Sequence, residues 1–252
     1  MICLTFDTDH MTEEGMERFL QEYPIPGRST FFVHRPFSLV TRLQAEDVHE
    51  VGPHPFIDKL SRWKDEVTAL TEHFAKQPLG LRAHSCVFSH MIGMGMHQMG
   101  FRYVSQAQSL FHSGLEPFRH PWGIWELPIY YMDNMDFWFP KNWPALRHVP
   151  FSRDVIERAV GSRFLHVFDF HPLHIALNTK SHEEYSAVKE RILGDGVSPF
   201  ELRTAGRGTA EFFGDLCTAM RLSGERSYAC VEALESYIGV ESVRGQREVS
   251  AI

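Results

Sequence analysis

Short apolar runs alternate along the chain with segments in which apolar residues recur at helical spacing. The strand-like runs lie at 2–6, 30–33, 50–52 and 79–83, and each precedes a helical pattern, at 13–22, 39–47, 60–75 and 90–99. This alternation predicts βαβ units and a parallel sheet. Three later runs, at 103–105, 125–129 and 164–170, bring the total to about seven strands. Seven strands are enough to close or nearly close a barrel.

The length and composition are those of one globular domain. The 252 residues are 43% hydrophobic and 23% charged, and no stretch approaches the roughly 18 apolar residues that a membrane span needs. We therefore predict a single α/β domain over 1–252 with no membrane insertion. The first residues enter a strand pattern without a basic segment or a cleavage site, which favours a cytoplasmic protein.

Charge and cysteine usage exclude several classes of protein. The net charge of −7 and the absence of a Lys or Arg run argue against nucleic-acid binding. Four cysteines without C-x-x-C spacing do not form a disulfide framework, so we interpret Cys3, Cys86, Cys217 and Cys230 as reduced core thiols. The sequence does not indicate an oligomeric state.

Two aperiodic segments, 106–124 and 130–150, are rich in Pro, Trp, Phe, His and Met. They are predicted as long loops, which either line a sugar site or cap one end of the barrel. From residue 183 onward the pattern is helical, and one of these helices is predicted to begin from a Thr209 cap.

Two carboxylates end the first predicted strand. The two-residue period of a strand places Asp7 and Asp9 on one face at its C-terminal end, where βα enzymes build their sites. Like charges this close favour a bound cation. The alternative is a solvated turn and helix cap.

Two later strands end in basic residues. His54 opens the loop after the third strand, and Arg82 and His84 share a face at the end of the fourth. A neutral imidazole can complete a mixed carboxylate and histidine metal site, and an arginine can hold a carboxylate through two hydrogen bonds. Each signal alone also fits an ordinary loop residue.

The last strand run carries the densest cluster of titratable residues. Asp169 and His171 share a strand face, and His174 follows three residues after His171. A carboxylate beside an imidazole fixes its tautomer and raises its pKa for general-acid work, so Asp169 is the predicted partner of His171. His174 is a further possible site residue, although a structural role is the simpler interpretation.

The ordered set of motifs resembles the NodB-homology polysaccharide deacetylases, of the carbohydrate esterase family 4 type. The motifs are Thr-Phe-Asp-Thr-Asp at 5–9, Ser-Thr-Phe-Phe-Val at 29–33, Val-Gly-Pro-His-Pro at 51–55, Leu-Arg-Ala-His-Ser at 81–85, and the late His171. The resemblance spans roughly residues 2–175, and the His-Pro and Arg-x-His-Ser forms look like the divergent WbmS-like branch. It implies a distorted (β/α) barrel of seven strands.

The resemblance also implies one divalent ion, most often zinc, held by an aspartate and two histidines. Asp9 and His54 match two of these ligands. The family's second histidine is missing, because Asp58 stands four residues after His54. We expect His84 to take the third ligand place, with Asp58 as the alternative.

The remaining matched residues carry catalytic roles in the family. By resemblance, Asp7 is the base that activates the attacking water, Arg82 orients that base, and His171 protonates the leaving amine. The expected function is the removal of an N-acetyl or similar acyl group from an amino sugar of a surface polysaccharide or its precursor. Two alternatives stay open: a hydrolase of the same superfamily that acts on another C–N bond, and an inactive carbohydrate-binding barrel.

Overall fold

The computed structural model describes residues 1–57, 61–142 and 148–249, with side chains for 1–57, 61–138 and 148–240. The strands are β1 (Ile2–Asp7), β2 (Thr30–Val33), β3 (Glu50–Pro53), β4 (Gly80–Leu81), β5 (Tyr103–Val104), β6 (Phe118–Arg119), β7 (Trp125–Glu126), β8 (Ile129–Met132) and β9 (His166–Phe170). The helices are α1 (Glu13–Glu22), α2 (Ser38–Ala45), α3 (Trp63–Thr71), α4 (His90–Gln98), α5 (Asp133–Asn142), α6 (Arg153–Ala159), α7 (Pro172–Leu177), α8 (His182–Leu193), α9 (Thr209–Leu222) and α10 (Cys230–Val249), with 3₁₀ turns at His84–Cys86 and Pro199–Leu202. Across the described ranges, no helix is both long and apolar enough to cross a membrane.

The strands form two sheets. The larger has five strands in the order β3-β2-β1-β9-β8, and all of its neighbours are parallel. The smaller has the order β4-β5-β7-β6, in which only the β6–β7 pair is antiparallel. Helices separate most of the consecutive parallel strands, which confirms the predicted α/β class.

Backbone hydrogen bonds join the two sheets on both sides. On one side the amide of Arg82 donates to the carbonyl of Pro53 over 3.3 Å. On the other, Ile129 donates to Ala107 over 2.8 Å, and Ser109 donates to Ile129 over 2.9 Å. The segment after β5 therefore runs beside β8.

The apolar pattern predicted the elements of the first half closely. The helix at 13–22 and the strand at 30–33 have the predicted bounds. The single strand predicted at 125–129 is wrong: it divides into β7 and β8, which belong to different sheets. Pro128 lies between them and has no amide hydrogen for a sheet.

Two other expectations are corrected. The segments 106–124 and 130–150 are not simply loops, because they contain β6, most of β8 and α5. Thr209 is the first residue of α9 and not its cap; Gly208 is the cap, and the Thr209 hydroxyl donates to the carbonyl of Thr179 over 3.0 Å.

The start of α10 lies against the N-terminal ends of the strands. The Glu50 carboxylate accepts hydrogen bonds from the Val231 amide (3.0 Å), the Thr30 hydroxyl (2.8 Å) and the Tyr103 hydroxyl (2.8 Å). Thr30 in turn accepts from the amide of Cys230 over 2.8 Å. These bonds satisfy two amides at the helix start, which have no partner within a helix.

A glycine in β4 makes room for the Tyr103 ring. A Cβ atom on Gly80 would lie 1.9 Å from Cζ of Tyr103, which is fully buried. We expect Gly80→Ala to lower the free energy of unfolding by about 1–3 kcal/mol or more, since the ring has no free space to move into. Urea denaturation measures the change.

Gly214→Ala is the matched control for this prediction. Gly214 is exposed in α9 and has no atom within 4 Å of an added Cβ. Alanine there should stabilise the protein by about 0.5–1 kcal/mol through its helix propensity. Equal stability of the Gly80 variant and the wild type would contradict the close packing of Tyr103.

Candidate active site

Three strands of the larger sheet bring polar side chains to one edge. Asp7 is the last residue of β1 and Asp9 follows two positions later, His54 comes directly after β3, and His171 comes directly after β9. All strands of this sheet are parallel, so their C-terminal ends lie along the same edge of the sheet. The structure thus brings together side chains that are far apart in the sequence.

Asp9 lies at the centre of three imidazoles. Its Oδ1 is 3.4 Å from Nε2 of His54, and its Oδ2 is 2.9 Å from Nδ1 of His84 and 3.8 Å from Nε2 of His171. Burial alone would raise the pKa of the Asp9 carboxyl, but the neighbouring histidines lower it below its ordinary value. Asp9 therefore stays ionised.

Asp9, His54 and His84 have the arrangement of a cation site. One potential ligand atom from each lies within 4.8 Å of the other two. Among the described residues, Oδ1 of Asp9 and Nε2 of His54 are buried and have no hydrogen-bond partner. Nδ1 of His54 donates to the carbonyl of Arg82 over 2.8 Å, which leaves Nε2 as the atom that can bind a cation.

Arg82 is fully buried and holds one carboxylate of the site in place. Its Nη1 lies 3.0 Å from Oδ1 of Asp7, 2.5 Å from Oδ1 of Asp169 and 2.9 Å from the Thr5 hydroxyl. Its Nε and Nη2 donate to the carbonyl and hydroxyl of Ser105, both over 2.8 Å. Burial opposes the charge of the guanidinium, but Asp169 and Asp7 raise its pKa above the ordinary value.

The predicted pairing of His171 with Asp169 is wrong, because Asp133 takes that place. Oδ1 of Asp133 lies 2.7 Å from Nδ1 of His171, and Oδ2 accepts the His171 amide over 2.8 Å. Burial alone would lower the pKa of His171, but the Asp133 carboxylate raises it to about 10. Asp169 instead binds Arg82, and burial raises its pKa to about 8 although the guanidinium opposes the shift.

His174, another possible site residue, does not join the cluster. His174 is buried, its Nδ1 lies 3.0 Å from the Thr179 hydroxyl, and burial lowers its pKa to about 4. It packs in the protein as a neutral side chain. Asp58, the alternative third ligand, lies outside the described residues.

The comparison with protein families is decisive. A family model for WbmS-like polysaccharide deacetylases matches residues 4–189, which is most of the chain. The chain belongs to this family. No curated protein matches it.

Solved structures with the same fold include two candidate polysaccharide deacetylases. One, described as involved in O-antigen biosynthesis in Bordetella bronchiseptica, is 20% identical, with a TM-score of 0.66 over 86% of this chain and 89% of that one. The other, from Mycobacterium smegmatis, is 15% identical, with a TM-score of 0.55 over 95% and 90%.

A 4-alpha-glucanotransferase from Thermococcus litoralis also shares the fold. It is 11% identical, with a TM-score of 0.54 over 94% of this chain and 38% of that one. The fold alone therefore does not decide the reaction, and the chemistry must be argued from the side chains.

Two residues of this WbmS-like site escaped the sequence prediction. Asp133 directly follows β8, so a carboxylate at the end of a strand is the available signal, but the aperiodic pattern predicts a loop over 130–150. Ser105 is the last residue of the strand predicted at 103–105, and its type alone gives no sign of a function in the site. It anchors Arg82 and donates to the carbonyl of Leu127 over 2.9 Å.

In this family member the site opens into a pocket of about 220 Å³. It is lined by Asp7, Asp9, His54, His84, Ser85, Cys86, Gln108, Met132, Asn134, Met135, Trp138 and His171. Ser85 and Cys86 both have positive φ, 55° and 52°, which is rare for two successive residues other than glycine. Cys86 is a half-buried wall of this pocket and not a core thiol, whereas the predicted burial of Cys3, Cys217 and Cys230 is confirmed.

Proposed function

We propose that the protein is a metal-dependent hydrolase that removes an N-acetyl or similar acyl group from an amino sugar of a surface polysaccharide or its precursor. One observation carries the proposal. In the Asp9, His54 and His84 cluster, two buried ligand atoms face each other at 3.4 Å without a hydrogen bond among the described residues. The cluster lies between a carboxylate fixed by Arg82 and an imidazole fixed by a second carboxylate.

The donor set suits a divalent cation, and zinc is our first choice. One carboxylate oxygen and two imidazole nitrogens form a typical catalytic zinc site, which leaves a further position open. When bound, such an ion lowers the pKa of a water molecule and polarises the acyl carbonyl. His84 is the proposed third ligand, and Asp58 stays the alternative.

Asp7 is proposed as the base. Arg82 holds its Oδ1 at 3.0 Å, while its Oδ2 faces Nε2 of His54 at 3.7 Å. The fixed carboxylate takes a proton from the attacking water as that oxygen bonds to the acyl carbon. Asp169 and Ser105 position Arg82 and do not touch the substrate.

His171 is proposed as the acid. The Asp133 carboxylate accepts its Nδ1–H, which leaves Nε2 directed toward the Asp9 side of the pocket. With a pKa of about 10 the imidazole is protonated near neutral pH. It gives the Nε2 proton to the sugar nitrogen as the C–N bond breaks, so that the products are the free amine and the carboxylate.

We also propose that the two sheets form one distorted (β/α) barrel and that residues 1–252 form one catalytic domain. The backbone hydrogen bonds from Arg82 to Pro53 and from Ile129 to Ala107 support continuity between the sheets. The cytoplasmic location stays a prediction of the sequence.

Asp133→Asn is expected to lower kcat by about 10- to 100-fold, part of the ~10²–10⁴ that a general acid supplies. Loss of the carboxylate lowers the pKa of His171, because that charge holds the imidazole protonated. The fall of kcat on the alkaline side should therefore begin at lower pH in the variant. The pH profile of kcat measures both effects.

Asp154→Asn serves as the control for this change, since Asp154 is exposed at the start of α6 and is not in the pocket wall. An unchanged alkaline limb in the Asp133 variant would mean that Asp133 does not act through His171.

The function is tested by product analysis. The protein, purified without chelator and supplemented with zinc, is incubated with N-acetylated amino sugars and their oligomers. Release of acetate and of a free amine in equal amounts supports the proposal. Formate, or ring opening of a cyclic amide, would favour another C–N hydrolase, and sugar binding without any product would favour the inactive binding barrel.

A further inference from the structure

The two histidines of the proposed cation site present different ring nitrogens to Asp9. His54 faces Oδ1 of Asp9 with Nε2 at 3.4 Å, because its Nδ1 donates to the carbonyl of Arg82 over 2.8 Å. His84 faces Oδ2 of Asp9 with Nδ1 at 2.9 Å. The two rings are nearly perpendicular, with 86° between their planes and 5.5 Å between their centroids. A cation held by both imidazoles would therefore meet a different nitrogen on each.

Phe56 fixes the plane of the His84 ring. The rings of Phe56 and His84 are stacked, with centroids 4.0 Å apart and 18° between their planes. Phe56 follows Pro55, whose carbonyl accepts the His84 amide over 3.0 Å. One short segment thus holds both the main chain and the side chain of His84. Residues that orient a ligand histidine strengthen metal binding, because the ring is already in place when the ion arrives.

The backbone after His84 turns away within two residues. Nδ1 is the ring nitrogen nearer to the main chain, so a histidine that binds through it brings its own backbone close to the ion. Ser85 and Cys86 both have positive φ, and the Cys86 amide donates to the carbonyl of Ala83 over 2.9 Å. This conformation is costly for residues other than glycine and persists where the surrounding structure requires it. A close approach of the His84 main chain to the ion accounts for a sharp turn at this point.

We infer that Phe56 positions His84 to bind the cation through Nδ1, while His54 binds it through Nε2. Phe56 is half-buried and is not in the pocket wall, so it acts through the imidazole of His84 and not on the substrate. This inference rests on the proposed metal-dependent function and adds to it the ligand atoms and a positioning residue.

Zinc affinity tests the role of Phe56. It is measured on the full chain by competition with a chromophoric chelator, in Phe56→Leu and in Phe56→Tyr. Leucine keeps an apolar side chain but has no flat face, so affinity should fall about 10- to 100-fold, as when a residue that orients a metal ligand is lost. Tyrosine keeps the flat face and should bind zinc within about threefold of the wild type.

Phe118→Leu is the matched control, because Phe118 is exposed on β6 and packs against His120, outside the cation site. It should leave zinc affinity unchanged. Circular dichroism checks that each variant is folded. Equal losses of affinity in Phe56→Leu and Phe56→Tyr would refute stacking as the way in which Phe56 acts.

The ligand atoms are identified on the wild type, without any substitution. The histidines are labelled with the heavy nitrogen isotope, and the chain is loaded with an NMR-active isotope of cadmium. Coupling between cadmium and nitrogen shows which ring atom binds, and each ring is assigned through its own backbone amide. We expect coupling to Nε2 of His54 and to Nδ1 of His84. In Phe56→Leu the coupling to His84 should weaken while the coupling to His54 persists.

The outcomes distinguish this inference from the proposed function. Coupling of both histidines through Nε2, or no coupling of His84, would refute the inference and leave the metal-dependent hydrolase standing. Unchanged zinc affinity in Phe56→Leu would refute the positioning role of Phe56. The expected couplings without release of acetate would support the ligand atoms and refute the deacetylase. A chain that binds neither zinc nor cadmium would refute both.

Discussion

Asp9→Ala is expected to abolish the binding of a divalent cation and, with it, the release of acetate. Asp9 lies within 4 Å of an imidazole nitrogen of His54, His84 and His171, so its removal deletes the carboxylate among the three proposed ligands. Elemental analysis of protein purified without chelator should give about one ion per wild-type chain and none in the variant.

Metal analysis of two histidine variants tests which histidines bind the ion. His84→Ala should lose the ion as well, because it removes one of the three groups of the proposed site. Retention of the ion in that variant would transfer the third ligand place to Asp58. His174→Asn should keep the ion, since His174 is outside the cluster. No ion in the wild type, even after addition of zinc, would refute the metal-dependent reaction.

Asp7→Asn is expected to lower kcat by about 10²–10⁴-fold while the cation content stays at one per chain. Asparagine keeps the shape of the side chain and an oxygen that can accept from Arg82, but it cannot take a proton from water. Acetate release and elemental analysis on the same protein sample measure both quantities. This combination of results separates the base from the metal ligand two residues away.

Asp47→Asn is the control for this prediction. Asp47 is exposed and paired with Arg28 over 3.0 Å, outside the pocket. Its substitution should leave kcat unchanged. Full activity in the Asp7 variant would mean that another group accepts the proton. Loss of the cation along with activity would mean that Asp7 belongs to the cation site.

The sequence placed most of the candidate site where the structure has it. Clear apolar runs mark the strands that end at or just before Asp7, Asp9, His54 and His171. The C-terminal ends of parallel strands lie at one edge of a sheet, so these residues can be placed together without knowledge of the side-chain packing. Arg82 was predicted to hold a carboxylate, and it contacts Asp7. These positions follow from the local apolar pattern of each strand and from the rule that parallel strands have their C-terminal ends at one edge of the sheet.

The partner of His171 could not be predicted in this way. Asp169 pairs in register with Thr5, so its side chain lies beside the Thr5 hydroxyl and within reach of Arg82, while His171 is already past the end of the strand. The choice between Asp169 and Asp133 is made by the tertiary position of β8. The position of β8 depends on the end of β7 before Pro128. The apolar run at 125–129 does not reveal this break between the two strands.

The contacts of Glu50 with the start of α10 have a consequence for synthesis on the ribosome. The ribosome makes Thr30 and Glu50 early. The amides that donate hydrogen bonds to them belong to Cys230 and Val231, which are made much later. Likewise, β1 pairs with β9, which is translated more than 150 residues later. The emerging chain therefore cannot complete its central sheet until β9 has left the exit tunnel, and Thr30 and Glu50 cannot meet their amide donors until Val231 has left it. Until then the first half of the chain lacks these partners, and chaperones that hold unfinished chains are expected to affect the yield.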